Sequence, residues 1–314
     1  MTKFAMVFPG QGAQCVGMLS ELAARYPIVQ EIFSDASSEL GYDLWDLSQN
    51  GPAEELNKTW QTQPVLVAAS VATYKIWQQR HGTAPAMMAG HSLGEYSALV
   101  CAGVINFNDA IHLVELRGKL MQAAVPEGQG SMYAVIGLDN STISALCKEA
   151  ELGEIVSPVN FNSPGQTVIA GNKNAVERAA TACKLAGAKR VLPLFVSVPS
   201  HCALMKPAAE KLAATLNQIP FKSPTIPVLS NVNVKIERDP NAIKRDLIEQ
   251  LYSPVRWSEI VTTMAEQEVT VLLEVGPGKV LTGLTKRIVP TLSGISIGDP
   301  ESLDMALDMT KQRI

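Results

Sequence analysis

The residues best able to do chemistry in this 314-residue chain are a serine between glycines, four histidines and one arginine in an apolar setting. The segment AMMAGHSLGEYSALV contains Gly90-His91-Ser92-Leu93-Gly94, a G-x-S-x-G match with an apolar strand pattern before it and a helix-forming stretch behind it. A serine at a tight strand-to-helix turn projects its hydroxyl, and Gly90 and Gly94 keep bulk away from the crossing strand and helix. The helix opening at Leu93 aims unsatisfied N–H groups at negative charge developing nearby. Ser92 is thereby placed for attack and the Leu93 N–H for oxyanion stabilisation. A helix N-cap serine between turn glycines is the alternative. The strand and helix patterns on both sides favour the nucleophile.

A serine hydroxyl needs a neighbour to take its proton. His81, in QQRHGT, reads as an exposed residue at a helix end, and His112 sits near Glu115 and Lys119 on a polar helix side. His91 precedes Ser92 on the strand, so its side chain points to the other face and supports the elbow. His201, in VSVPSHCALM, lies where a strand exits and a helix begins, the place where α/β folds collect functional loops. It is either the base or a cap for that helix. Cys202 beside it reads as packing. No Asp or Glu between 92 and 201 stands out as the acid of a triad, so a backbone carbonyl could orient the imidazole in a Ser-His dyad.

In NDAIHLVELRGKLMQAAV, one helix face gathers Ala110, Leu113, Val114, Arg117, Met121 and Ala124. Arg117 interrupts that apolar stripe. A buried guanidinium must be paired, and its planar fork suits a carboxylate, so a dicarboxylate-derived acyl group is one guest. The other reading is a snorkelling arginine whose head reaches water. The loop PGQGAQCVG lacks the third glycine of G-x-G-x-x-G and no G-K-[ST] follows, which makes it weak as a phosphate motif. Gln11 between two glycines could instead offer a backbone N–H to an oxyanion. The loop EVGPGKV at 274–280 is a second candidate for lining the site.

These groups need a scaffold. FAMVF at 4–8 reads as a buried strand running into PGQGAQ, with helical periodicity from near Met18 to about Leu40. Pro64 to Gln79 reads as a helix with proline at its start, AMMAG at 86–90 as a strand, and 107–125 as an amphipathic helix. The stretch from Ser131 to Leu194 reads as strand, helix, strand, strand, helix, strand, with NSPG as the turn of the central hairpin, which is the split ferredoxin-like order. The expected fold is α/β: an α/β-hydrolase-like large domain with a parallel sheet, formed by 1–127 and 197–314, and an inserted ferredoxin-like small domain over 128–196. A helix near 203–217, the strand VTVLLEV at 269–275 and a helix after GPG complete the large domain.

Charged residues are 18% of the chain and hydrophobic ones 46%, an ordinary globular balance. With 26 basic and 30 acidic side chains, the formal charge of -4 argues against nucleic-acid binding. The apolar run after Lys3 is too short for a signal peptide, and no run is long enough to cross a bilayer. The five scattered cysteines never form C-x-x-C, which fits a reducing cytosol and calls for neither disulfide nor metal.

Together, PGQGAQ, GHSLGEYSALV, Arg117, NFNSPGQ, VPSHCALMKP and EVGPGKVLTGL resemble the malonyl-CoA:acyl carrier protein transacylase family, the free-standing acyltransferases of bacterial type II fatty-acid synthesis. The similarity runs from about Phe4 to Ile288, with six motifs in order. The resemblance implies ping-pong transfer of malonyl from coenzyme A to Ser92 and on to the phosphopantetheine thiol of acyl carrier protein. It assigns His201 as base and acid, Arg117 as partner of the malonyl carboxylate, and the N–H groups of Gln11 and Leu93 as the oxyanion hole. The histidine would be steadied by a main-chain carbonyl in the segment IEQLYSP, at Gln250. No bound cofactor and no metal are implied; a coenzyme A thioester is the substrate. Malonyl-CoA and acyl carrier protein would be the partners, without nucleic acid or membrane, in the cytoplasm. Ala13 stands where many relatives carry serine, which matters little if the donors are backbone groups, and the tail after about Thr291 matches less clearly.

Two other classes stand beside this one. Water as acceptor would make the chain an esterase or thioesterase with the same Ser-His pair, and a non-catalytic carrier-docking module would leave Ser92 as a cap. Lys189 with Arg190, and Lys286 with Arg287, are candidates for meeting an acidic carrier, though such charge runs are commonly just solvated faces.

Overall fold

A computed structural model of the protein describes residues 2–194, 196 and 198–311. Among the described residues, nine strands form two sheets: β1 (Phe4–Phe8), β2 (Met87–Gly90), β3 (Gly130–Ile136), β4 (Val156–Ser163), β5 (Gln166–Asn172), β6 (Arg190–Pro193), β7 (Val228–Leu229), β8 (Val271–Glu274) and β9 (Ser293–Ser296). The first sheet has the order β7-β2-β1-β8-β9, and every pairing in it is parallel. All five residues of β1 are buried, as a central parallel strand covered on both faces requires. The carboxyl ends of β1 and β2 therefore open side by side, and the loops that leave them meet.

The second sheet is antiparallel with the order β4-β5-β3-β6, and helices Asn140–Ala150 and Lys173–Leu185 cover one face of it. This is the ferredoxin-like arrangement expected from the strand and helix order. Its core of Val135, Ile143, Cys147, Ile169, Val176 and Cys183 is separate from the large core around the parallel sheet. Strand β4 ties the two parts together, since Asn160 bridges to Val255 and the Phe161 N–H donates to the Val255 carbonyl. Of the expected domain limits, the one drawn at residue 197 and the chain ends fall on positions outside the described residues.

The stretch from Met18 to Leu40 is two helices, Ser20–Arg25 and Ile28–Leu40, because Pro27 interrupts the hydrogen-bond ladder between them. Pro64 does not open its helix: the helix runs Thr59–Gln79, with proline inside its second turn. At the sixth position of the helix that proline has no N–H to give to the Trp60 carbonyl, so the ladder loses one bond there and the helix continues through it. The short strands β7 and β9 and the helices Pro240–Gln250, Trp257–Glu266 and Pro300–Thr310 add to the expected elements, two of these helices opening with an Asp cap and a proline, at Asp239-Pro240 and Asp299-Pro300.

Candidate active site

The elbow forms because two backbones cross where only glycine fits. A Cβ on Gly90 would lie 1.8 Å from the Gly94 carbonyl carbon, and one on Gly94 would lie 2.0 Å from the Phe8 oxygen. Between them Ser92 adopts φ 52°, a left-handed conformation that costs a non-glycine residue about 1–3 kcal/mol and persists only when its surroundings enforce it. Asn231 is one enforcer. Its Oδ1 accepts from the Ser92 N–H at 2.8 Å and its Nδ2 donates to the Gly90 oxygen at 2.7 Å, clamping both sides of the turn.

His201, also left-handed at φ 64°, brings its Nε2 to 2.7 Å from Ser92 Oγ. Its Nδ1 lies 2.7 Å from the main-chain oxygen of Gln250. A carbonyl can only accept, so Nδ1 carries the proton and Nε2 is left free to take the serine's. Burial, with the Arg117 charge next, pushes the imidazole down to about 3, which keeps it neutral at rest. Main-chain anchoring fixes the ring further, through the bond from the His201 N–H to the Leu251 oxygen at 3.0 Å.

Arg117 does not reach water. Its side chain is 0% exposed in the middle of the helix Phe107–Ala124, and its Nη1 and Nη2 donate to Gln63 Oε1 at 2.9 Å and Gln250 Oε1 at 3.0 Å. Both acceptors are neutral amides, Nε has no partner among the described residues, and the Tyr96 ring lies 5.4 Å from the guanidinium carbon. A buried cation left with dipoles alone holds unused attraction for an anion. The Gln250 side chain also donates to the Ser92 oxygen at 3.0 Å and to Glu95 Oε2 at 2.7 Å, so the elbow and the guanidinium share one amide. Burial raises the Glu95 carboxyl to about 8.

Gln11, His91, Ser92, Met132, Asn160, Leu194, Ser200 and His201 line one cleft, floored by the elbow and roofed by the small sheet. Gln11 Oε1 is fixed by Thr59 Oγ1 at 2.8 Å, which sets the loop between the glycines. Neither the Gln11 nor the Leu93 N–H donates a hydrogen bond among the described residues. Leu93 is the N-cap rather than the first turn of the helix Gly94–Cys101. His91 turns from the serine toward Asn162, with Nε2 2.8 Å from Oδ1, and packs its ring against Trp257 at 5.5 Å. His112 pairs with Glu39, and Cys202 Sγ donates to the Pro199 oxygen, so neither takes part. The EVGPGKV loop does not line the cleft; it braces the first loop, with Gly278 close to the Ala13 backbone.

Sequence reasoning missed Gln63, Asn231 and the Gln250 side chain. Gln63 sits in the turn before Pro64, which the reading left outside the helix. Asn231 and the Gln250 side chain have no local pattern; only the fold brings them to the elbow. No group of His, Cys, Asp and Glu able to hold a metal exists among the described residues, and no described helix is long and apolar enough to cross a membrane.

The family profile described as acyl transferase domain matches residues 5–296. The malonyl CoA-acyl carrier protein transacylase of Escherichia coli strain K12 is 66% identical over 309 residues, covering 98% of this chain and 100% of the relative. The solved structure of a type II PKS acyl-carrier protein in complex with its malonyl-transacylase superposes with a TM-score of 0.97 at 66% identity, covering 98% of this chain and 100% of that one. An acyl carrier protein S-malonyltransferase from Vibrio cholerae superposes with a TM-score of 0.95 at 64% identity, covering 97% of this chain and 99% of the other.

Proposed function

The chain belongs to the acyl transferase domain family, and from that membership and the site geometry we propose that it is a malonyl-CoA:acyl carrier protein transacylase acting through a malonyl-Ser92 intermediate. The observation that carries the choice of acyl group is Arg117, a buried guanidinium whose hydrogen-bond acceptors among the described residues are two neutral amides. The distal carboxylate of malonyl supplies the missing charge, with the bidentate geometry that arginine favours.

The residues divide the work as follows. His201 Nε2 takes the Ser92 proton as Oγ attacks the thioester carbonyl, and the Gln11 and Leu93 N–H groups receive the developing oxyanion. His201 then returns the proton to the departing coenzyme A sulfur. In the second half the phosphopantetheine thiol of acyl carrier protein gives its proton to His201 and attacks the acyl-serine, and His201 passes that proton to the departing Ser92 oxygen, which restores the hydroxyl. The Gln250 oxygen holds the Nδ1 proton throughout, keeping one tautomer without a carboxylate. Coenzyme A thioester enters as substrate, and the reaction requires no resident cofactor. The partners are malonyl-CoA and acyl carrier protein, in the supply of malonyl units for fatty-acid elongation in the cytoplasm.

Single-turnover transfer tests the reading. Protein loaded with malonyl-CoA and freed of excess substrate should pass its malonyl group to holo acyl carrier protein much faster than to water. Rapid release of free malonate with no dependence on carrier would instead make it a thioesterase.

A further inference from the structure

A half-enclosed cavity of about 530 Å³ that shares no lining residue with the Ser92 cleft lies between the helices Ile28–Leu40, Thr59–Gln79 and Phe107–Ala124. Its volume is within the range of about 300–1,000 Å³ typical of small-molecule sites. Ile32, Val71, Val104 and Phe107 make apolar walls, and the exposed Lys75 and Lys222 stand in its lining. Lys222 is held there by its backbone, whose N–H donates to the Val104 oxygen at 2.9 Å.

The charge pattern is one-sided. No Asp or Glu lines the cavity. Burial pushes the Tyr74 hydroxyl up to about 12 and also raises the Cys101 thiol, so both stay neutral near pH 7. Among the described residues neither Lys75 nor Lys222 has a carboxylate within 4.0 Å. Apolar walls with two unpaired ammonium groups match an elongated apolar body carrying an anionic end.

We propose that this cavity is a binding site for an anionic amphiphile, an alkyl chain ending in a carboxylate, distinct from the acyl-transfer cleft. The alkyl chain lies against Val71, Val104 and Phe107, and the carboxylate is met by Lys75 and Lys222. The two sites are separate: ten residues of helix, about 15 Å, divide Phe107 in the cavity from Arg117 behind the elbow.

Titration calorimetry with dodecanoate, kept below its micelle-forming concentration, tests the proposal without relying on enzyme turnover. Wild type should bind one molecule per chain, and dodecanol should bind at least about tenfold more weakly. The double variant Lys75→Glu with Lys222→Glu alters two exposed positions; it should keep the wild-type melting temperature within a few degrees and lose dodecanoate affinity by tenfold or more. In a Ser92→Ala protein saturated with malonyl-CoA, dodecanoate affinity should be unchanged. Absence of binding, equal binding by the charge-reversed variant or by dodecanol, or displacement by malonyl-CoA would each overturn it.

Discussion

The two sheets of this protein meet the same requirement, a closed core, in opposite ways. Of the ionisable groups buried among its described residues, Glu95, Arg117, His201, Lys244 and Glu274 all belong to the part built on the parallel sheet, and the small sheet's cluster is apolar. Backbone strain divides likewise. Between β3 and β6 one non-glycine residue, Leu152, has positive φ among the described residues, and it lies in an exposed turn; the large part includes Ser92 and His201, the two that face each other. The comparison teaches that stability and reactivity were assigned to different regions. The small sheet, bulged along β4, serves as a roof and keeps its one left-handed non-glycine residue in an exposed turn, and the elbow is strained because it must present a hydroxyl.

Breaking the reactive pair should produce the largest effect. Ser92→Ala should reduce malonyl transfer to carrier by roughly 10⁴-fold or more, with the fold retained by circular dichroism, since the residual binding groups cannot replace a nucleophile. Arg117→Ala comes next. It should lower kcat/KM for malonyl-CoA by roughly 10- to 100-fold, the equivalent of one or two charge-assisted hydrogen bonds, and change acetyl loading much less. Equal losses with both thioesters would remove Arg117 from acyl selection.

Gln63→Ala should cost about 1–3 kcal/mol of stability by leaving a guanidinium donor unpaired, and should weaken malonyl loading more than acetyl loading. On the other side of the comparison, Ile143→Ala in the small core should cost about 2–5 kcal/mol in denaturant titration yet leave the loading rate per folded molecule unchanged. A lowered rate would mean that the roof tunes the chemistry.

The pH dependence sharpens the contrast, because the two shifted groups at the elbow act in opposite senses. His201 is lowered from 6.5 to about 3, so its contribution to stability is present above pH 6.5 and is lost as pH falls toward 3. Glu95 is raised from 4.5 to about 8, so its contribution is present below pH 4.5 and is lost as pH rises toward 8. Glu95→Gln should therefore remove part of the decline in melting temperature between pH 5 and pH 8, which calorimetry would read directly. The acid limb of kcat/KM should lie well below the usual imidazole range, and a limb near 6.5 would show that His201 is not held neutral in the free protein.

How legible each region was in the sequence follows from the same division. The small domain could be read element by element, since apolar alternation, two amphipathic helices and the NSPG turn are all local signals. The elbow was legible because G-x-S-x-G is a steric requirement written within five residues, whereas the apolar stripe that Arg117 interrupts left open whether its head reaches water. The residues around them were not. Asn231 and Gln250 reach Ser92 from 139 and 158 positions away, and no short-range pattern marks an amide that will clamp a distant turn. Gln63 was hidden by a proline that normally marks a helix start and here lies inside one.

The central claim, that Ser92 is the residue acylated by malonyl thioester, is most directly tested by rapid-quench intact-mass analysis of the protein mixed with malonyl-CoA alone, followed by peptide mapping. The account predicts a single malonyl group, on the peptide containing Ser92, appearing within the first turnover in wild type and absent from His201→Ala on the same timescale. A protein that stays unmodified, or one that carries the group on Cys15 or any other side chain, would contradict it.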